Sequence, residues 1–170
     1  MLIWINGAFG VGKTAVASAL REQWPRARIF DPEDIGFVLR RVVPGALNAD
    51  YQDLRLWRVL TRRTAMIAAR FAAPLIVPMT ICQPRYFEEI VGGLRRAHID
   101  VRHFTLKAPR AVVLQRLALR GDDASWAARQ FDRCAATLAL PAFAHHIDTV
   151  GRAASEIAVE IHDRVYGVYR

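Results

Sequence analysis

Lysine is scarce in this sequence of 170 residues. Of 24 basic residues only Lys13 and Lys107 are lysine, and the others are arginine. With alanine also abundant, we interpret the arginine excess as a bias of the source genome, so it says little about function. Lys13 therefore stands out, because most basic positions of this chain are arginine.

Cysteine is scarce as well, and the histidines are not clustered. Cys82 and Cys134 lie far apart without the CxxC spacing of zinc sites, and none of the five histidines shows metal-ligand spacing. No Ser–His–Asp grouping can be recognised. The sequence thus argues against a zinc site and predicts two reduced, partly buried thiols.

No apolar run reaches the roughly 18 residues that span a bilayer. A basic and apolar leader is not expected either, because a glycine-rich loop begins at Gly7. Hydrophobic residues make up 53% and charged residues 24% of the chain. These fractions are typical of a folded soluble protein, and we expect one domain over residues 1–170 in the cytoplasm.

The net charge of +8 raises the question of nucleic acid or an anionic membrane as partner. The basic residues are, however, spread along the chain, interleaved with acidic ones, and no run of five or six occurs. A phosphate-handling pocket accounts for several of them. Nucleic acid is therefore not the partner we expect.

What the sequence does contain is a phosphate-binding loop directly after the apolar run Leu2–Ile5. The segment fits G-x-x-x-x-G-K-[ST], in which backbone N–H groups surround phosphates, the lysine reaches the β and γ phosphates, and the hydroxyl joins a Mg²⁺ shell. The helix that follows adds the positive end of its dipole. We predict that ATP binds to Gly7, Ala8, Phe9, Gly10, Val11, Gly12, Lys13 and Thr14.

Strand and helix patterns alternate along the rest of the chain. The predicted strands are residues 2–5, 27–30, 74–80, 101–106 and 146–149. This alternation is typical of an α/β protein with a parallel sheet, in which ligands bind at the carboxyl ends of the strands.

Asp31 follows the second predicted strand and so faces the same edge as the loop. In many phosphate-loop proteins the strand that here ends in Met79-Thr80 is followed by an aspartate that assists Mg²⁺. No carboxylate follows until Glu88. Asp31 is therefore the main carboxylate candidate, holding Mg²⁺ through water together with Thr14.

The longest helical pattern runs over residues 50–71. Its expected inward stripe consists of Leu54, Trp57, Leu60, Thr64, Ile67, Ala68 and Phe71. Four arginines fall mostly off that stripe, namely Arg55, Arg58, Arg62 and Arg63. Either they form a solvated basic face, or one of them holds an anionic substrate.

Two later helices predict a hinged lid over residues 116–135. Arg116 and Arg120 are four apart on one helix, as are Arg129 and Arg133 on the next. Such a lid would close guanidinium groups over transferring phosphates. The alternative is that these are solvated surface arginines.

A final amphipathic helix is predicted over residues 155–168, with Ile157, Ala158, Ile161, Val165 and Val168 on one face. We expect it to pack on the sheet. Binding at a membrane surface is the less favoured alternative, because Glu156, Glu160 and Asp163 lie on its polar face.

Landmarks along nearly the whole chain resemble the TmrB-type tunicamycin-resistance proteins. They are Ile3-Trp4-Ile5-Asn6-Gly7-Ala8-Phe9-Gly10, Gly12-Lys13-Thr14, Asp31-Pro32-Glu33, Gly36-Phe37, Ile76-Val77-Pro78-Met79-Thr80, Tyr86-Phe87, His103-Phe104-Thr105-Leu106, Ser125-Trp126-Ala127 and Asp132-Arg133-Cys134. The resemblance implies a three-layer fold like that of nucleoside monophosphate kinases and chloramphenicol phosphotransferase, with a five-stranded parallel sheet, helices on both faces and a small helical lid. It also implies ATP binding and tolerance to tunicamycin, a nucleoside antibiotic. Some members of the family associate with membranes through a C-terminal helix.

Three functions remain open at this point. The first is transfer of phosphate from ATP and Mg²⁺ to a nucleoside-like acceptor; the others are ATP-dependent sequestration of tunicamycin and a housekeeping nucleotide kinase. For the first, the expected catalytic residues are Lys13, Asp31, Arg120, Arg129 and Arg133, and Arg116 and Arg120 join the loop in binding nucleotide. The acceptor would contact Asp31, Phe37, Arg40, Trp57, Thr80 and Gln83, with Phe37 or Trp57 either stacking on its ring or belonging to the core.

Overall fold

Five parallel strands form the centre of the molecule in the computed structural model, which describes residues 1–43, 50–121 and 123–167 apart from the side chains of Ala124, Trp126 and Ala127. Asp122 in the predicted lid and Val168 in the last predicted stripe lie outside the described residues. The strands are β1 (Leu2–Gly7), β2 (Arg28–Ile29), β3 (Leu75–Pro78), β4 (Val101–Lys107) and β5 (His146–Asp148).

The strand order is β2-β3-β1-β4-β5, so β1 lies in the middle, paired with β3 and β4. All six residues of β1 are buried. Helices cover both faces of a parallel sheet, which is why such a strand is apolar without alternation. The consequence is that the segment after β1 emerges at the centre of one sheet edge.

The helices give the three-layer α/β architecture that the sequence predicts. They are α1 (Lys13–Glu22), α2 (Glu33–Val42), α3 (Arg55–Ala68), α4 (Pro84–Phe87), α5 (Gly93–Arg96), α6 (Arg110–Leu119), α7 (Ala124–Leu138) and α8 (Ala154–Tyr166). A π-helical stretch, Glu88–Gly92, joins α4 to α5, and short 3₁₀ turns occupy Tyr51–Asp53 and Pro141–Phe143.

The inward stripe predicted for α3 is only partly right: Trp57 is buried, and Leu54, Leu60 and Ala68 pack against the core, but Thr64, Ile67 and Phe71 are exposed. Trp57, Arg58, Thr61 and Ala65 face the interior, whereas Ile67 is 60% and Phe71 79% exposed. Arg58 can lie on the inner face because Glu89 and the carbonyl of Gln52 satisfy its guanidinium there. A prediction from the spacing of apolar residues takes no account of charged side chains. It therefore cannot foresee that a cation is buried with such partners.

The last helix, α8, buries Ile157, Ala158 and Ile161 and packs on α1. Trp24, just beyond α1, donates from Nε1 to the hydroxyl of Tyr166 at 3.0 Å. The apolar side of α8 thus belongs to the core, and the neighbour on which it packs is α1, where the sequence predicted the sheet. Within the described ranges, no helix has the length and apolar character required to cross a membrane.

Candidate functional site

The loop between β1 and α1 has the backbone geometry of an anion cradle. Gly7 has φ +142° and Gly12 φ +104°, values that L side chains rarely adopt. A Cβ at Gly7 would lie 2.7 Å from the carbonyl oxygen of Leu106, whereas the space beside Gly12 is open. The first N–H groups of an α-helix such as α1 have no hydrogen-bond acceptors within the helix. They lie at its N-terminus, which is the positive end of the helix dipole. The loop therefore offers an open, positively polarised concavity.

Lys13 lies in that concavity and is held by the loop itself. Its Nζ donates to the carbonyl oxygen of Ala8 at 3.0 Å. Burial lowers the pKa of Lys13 to about 8, while the negative charges of Glu33 and Asp31 act in the opposite direction. The ammonium group is thus poorly solvated and close to two carboxylates, and an anionic ligand would relieve its desolvation.

Asn6 fixes the start of the loop, a role that sequence reasoning missed. Its Oδ1 accepts from the N–H groups of Gly7 at 2.8 Å and Ile81 at 3.0 Å, and its Nδ2 donates to the Ile81 carbonyl at 3.0 Å. An amide at the end of an otherwise apolar strand is the signal that could have identified it. Asn6 ties the loop to the segment that follows β3.

A chain of hydrogen bonds continues from that segment to α3. Thr80 donates from Oγ1 to the Gly7 carbonyl at 2.8 Å, and Gln52 donates from Nε2 to the Thr80 carbonyl at 3.0 Å. Arg58 donates from Nη1 to the Gln52 carbonyl and from Nε to Glu89, each at 2.6 Å. Arg58 is therefore neither part of a solvated basic face nor available to a substrate.

Two carboxylates, not one, stand opposite the loop. Asp31 follows β2, and its Oδ1 accepts from the N–H of Glu33 at 2.9 Å. Burial raises the pKa of Asp31 and that of Glu33, and the negative charge of Asp31 raises the Glu33 pKa further. Tyr51 interacts with Glu33, and the pKa of Tyr51 is raised by burial and by the Glu33 charge. Sequence reasoning chose Asp31 alone, although an acid two residues later could have drawn attention to Glu33.

The acceptor-side candidates are only partly brought together. Phe37 is exposed on α2, and the guanidinium of Arg40 lies 5.0 Å from the ring centroid of Tyr51. The Nε of Arg40 is buried and has no hydrogen-bond partner within the described part of the chain. Gln83 is exposed and immediately precedes α4.

Trp57 belongs to the core. It has no exposed surface, and its Nε1 donates to the Pro32 carbonyl at 3.0 Å. Its indole therefore cannot stack on a ligand in this conformation, and of the two alternatives in the sequence the structure favours the core. Trp57 instead supports the backbone between Asp31 and Glu33.

The four predicted lid arginines separate into two groups. Arg116 donates hydrogen bonds to Oγ1 of Thr149 at 2.9 Å and to the Thr149 carbonyl at 2.7 Å. It also donates to the Val11 carbonyl at 3.5 Å. The guanidinium of Arg120 lies 5.8 Å from the ring centroid of Phe9. Both are thus at the loop. Arg129 is exposed on α7, and Arg133 forms an ion pair with Asp50 at 2.9 Å.

The donor set suits a magnesium ion held jointly with a ligand. Thr14 is exposed in the first turn of α1, and Asp31 and Glu33 supply carboxylate oxygens. Residues 1–43, 50–121 and 123–167 contain no group of three or more His, Cys, Asp or Glu placed to hold a metal alone. Mg²⁺ typically binds one or two carboxylates together with phosphate oxygens and water, so these residues fit it.

Comparisons with known proteins agree with the phosphate-binding loop and the parallel sheet. The profile of a family described as AAA domain (AAA_33) matches residues 2–141. Among curated proteins none matches. Among solved structures, the tunicamycin resistance protein of Deinococcus radiodurans is 35% identical, with a TM-score of 0.81, and the alignment covers 97% of this chain and 95% of that one.

More distant structures share the fold alone. A gluconokinase from Sinorhizobium meliloti is 19% identical with a TM-score of 0.61, covering 99% of this chain and 97% of that one. A shikimate kinase from Bacteroides thetaiotaomicron is 17% identical with a TM-score of 0.63, covering 98% of each. With its parallel sheet, glycine loop and Lys13, the chain belongs to the AAA-domain family of P-loop, kinase-like proteins, alongside the tunicamycin resistance protein of D. radiodurans.

Proposed function

We propose that this protein transfers a phosphoryl group from ATP to a hydroxyl of a nucleoside-like small molecule and thereby confers tolerance to tunicamycin. The observation that carries the proposal is the placement of Lys13, in an open glycine loop, within electrostatic reach of Asp31 and Glu33. Phosphoryl transfer rests mainly on positioning and electrostatics, and this arrangement supplies both. The D. radiodurans relative is named for tunicamycin resistance, which supports the choice of acceptor.

In this proposal the triphosphate lies on residues 7–14. The N–H groups of the loop and of the first turn of α1 donate to phosphate oxygens. Lys13 exchanges the Ala8 carbonyl for the β and γ phosphates, whose negative charge raises its pKa and favours the protonated ammonium group. Thr14 and, through water, Asp31 would hold Mg²⁺, which would supply positive charge to offset that of the phosphates.

Asp31 and Glu33 act on the acceptor. One carboxylate accepts the hydroxyl proton as the new oxygen–phosphorus bond forms and the bond to the β-phosphate oxygen breaks. Their raised pKa values make them stronger bases than ordinary carboxylates. The Glu33 N–H fixes the Asp31 side chain. The acceptor ring would lie against Phe37 and Arg40, with Thr80 and Gln83 at the far side.

Residues 116–135 would form the lid in this proposal. Arg116 and Arg120 already lie at the loop. Arg129 would approach the phosphates when α7 moves, and Arg133 would do so only after leaving Asp50. Closing guanidinium groups over the phosphates offsets developing charge and excludes water.

Sequestration of the drug without chemistry is the second candidate. It is favoured by the residues after β3, Met79 and Thr80, because Thr80 uses its hydroxyl to hold Gly7 and no acid stands there to support Mg²⁺. A housekeeping nucleotide kinase is the third.

One incubation separates these functions. Purified protein is mixed with ATP, Mg²⁺ and tunicamycin, and the drug is analysed by mass, with Lys13→Ala as the inactive control and Lys107→Ala as the matched lysine control. A phosphorylated drug supports the proposal. Saturable drug binding without product contradicts transfer and selects sequestration, whereas ADP formed only with a nucleoside monophosphate selects the nucleotide kinase.

A further inference from the structure

Two cysteines that no proposed chemistry uses meet beside the loop. Cys82 lies between β3 and α4, and Cys134 lies on α7, 52 positions later in the chain. Their Sγ atoms are 2.9 Å apart. Both thiols are free and buried, with 8% and 2% of their surface exposed. The sequence predicts separate thiols, and only the fold places them in contact.

The geometry brings the pair close to a covalent bond. A disulfide is about 2.05 Å long, so the sulfurs must approach by less than about 1 Å. The hydrogen bond between the thiols lowers the pKa of Cys134 and raises that of Cys82, and the positive charges of Arg133 and Lys13 also lower the Cys134 value. Since thiolates are the nucleophiles of disulfide exchange, Cys134 is suited to react first.

We propose that Cys82 and Cys134 form a reversible disulfide, by exchange with a small-molecule disulfide of the glutathione type, that ties α7 to the segment after β3. The Cys134 thiolate attacks one sulfur of the small disulfide and releases one thiolate, giving a mixed disulfide. Cys82 then loses its proton and attacks the Cys134 sulfur, which releases the second small thiol. The two protein thiols give up two electrons and two protons in all, and the small disulfide takes up both.

The position of the pair explains what the bond would control. Cys82 follows Ile81, which Asn6 holds against the loop. Cys134 follows Arg133, whose ion pair with Asp50 joins α7 to the residue before the 3₁₀ turn Tyr51–Asp53. Because both sulfurs are buried, the oxidant gains access only when α7 opens, and the completed bond then retains α7 in its closed position. Formation of the disulfide depends on this geometry and not on phosphoryl transfer.

The test is made on the full-length, reduced protein incubated with oxidised glutathione. We expect the intact mass to fall by two hydrogen atoms without dimer formation, and peptide mapping to join the peptides that contain Cys82 and Cys134. The melting temperature should rise by roughly 5–10 °C and return on reduction. Amide hydrogen exchange of α7 should slow in the oxidised form.

Single variants supply the controls. Cys82→Ser and Cys134→Ser should each give at most one glutathione adduct and no rise in melting temperature. The proposal is overturned if the wild-type protein yields only glutathione adducts, intermolecular dimers or unreacted thiols. It is equally overturned if the internal bond forms but hydrogen exchange of α7 is unchanged. None of these outcomes bears on whether ATP is hydrolysed or transferred.

Discussion

At the scale of single residues, Lys13 shows how the surroundings prepare a group for its ligand. Its ammonium is desolvated, donates to a carbonyl of its own loop, and faces Asp31 and Glu33. A buried cation with a lowered pKa gains more from a phosphate than a solvated one, because the ligand replaces missing solvation. The site is therefore poised for an anion.

The first prediction concerns the charge of Lys13. Its pKa is about 8 in the ligand-free protein, so protonated lysine is lost as the pH rises above that value. ATP affinity should therefore be constant below pH 7 and decline above pH 8, by at most about tenfold per pH unit. Titration calorimetry at several pH values measures this effect.

Lys13→Ala supplies the comparison. It should bind ATP about 10- to 100-fold more weakly and lose the alkaline decline, whereas Lys107→Ala, the other lysine of the chain, should behave like wild type. A wild-type affinity independent of pH up to 10 would contradict the charge assignment.

The second prediction separates the two carboxylates. Asp31→Asn should reduce phosphoryl transfer by about 10²- to 10⁴-fold if Asp31 is the base, with ATP affinity largely unchanged. Glu33→Gln tests the alternative base by the same assay. For whichever residue is the base, kcat should fall on acidification with a midpoint above the usual carboxylate value, because burial raises the pKa of both groups. Full turnover in both variants would exclude them as bases.

The third prediction concerns Asn6, whose amide serves three backbone groups. Asn6→Ala leaves the buried N–H groups of Gly7 and Ile81 without this acceptor. The free energy of unfolding should fall by about 2–4 kcal/mol, as measured by urea denaturation. ATP affinity should fall with it, since the loop loses its anchor to the segment after β3. A variant as stable as wild type would show that water replaces the amide.

At the scale of elements, α3 is organised by a buried cation. Arg58 joins α3 to the π-helical stretch through Glu89, stacks at 4.2 Å from the ring centroid of Tyr86, and reaches the loop through Gln52 and Thr80. The guanidinium therefore lies on the buried face of the helix together with Trp57, Thr61 and Ala65. A stripe of apolar residues alone would have turned Ile67 and Phe71 inward.

The fourth prediction tests that coupling. Arg58→Ala should lower the free energy of unfolding by about 3–5 kcal/mol, because Glu89 and the Gln52 carbonyl lose a mostly buried partner. Arg63→Ala, exposed on the same helix, should stay within about 0.5 kcal/mol of wild type. Equal stabilities of the two variants, compared by denaturant titration, would count against the role given to Arg58.

At the scale of the whole molecule, the site is a product of strand order. Because β1 lies between β3 and β4, its loop emerges beside Thr80 and Leu106, and the end of β2 carries Asp31 to the same edge. Segments from four parts of the chain thus meet at one cleft. Ligand binding there should stabilise the fold as a unit.

The fifth prediction follows by mass action. ATP with Mg²⁺ at about 100 times its dissociation constant should raise the melting temperature by roughly 5–10 °C. Lys13→Ala at the same nucleotide concentration should show a much smaller rise. Thermal denaturation with and without nucleotide measures both, and an unchanged melting temperature for wild type would contradict ATP binding at the loop.

The sequence by itself determined the loop, the parallel sheet and the acidic residue at its edge. These are encoded locally, by glycines that permit positive φ, by apolar strands without alternation, and by the position of Asp31 directly after a strand. Such signals need only neighbours along the chain. The family resemblance, and with it the kinase-like fold, could also be read from short motifs.

Tertiary structure alone decided which side chains meet. It paired Arg58 with Glu89, Arg133 with Asp50 and Cys82 with Cys134, and it placed Trp57 in the core. Each pair joins residues more than thirty positions apart, so its energy depends on the packing of whole elements. The sequence identified a phosphate-binding loop, and the fold determined which groups surround it and which are already engaged with one another.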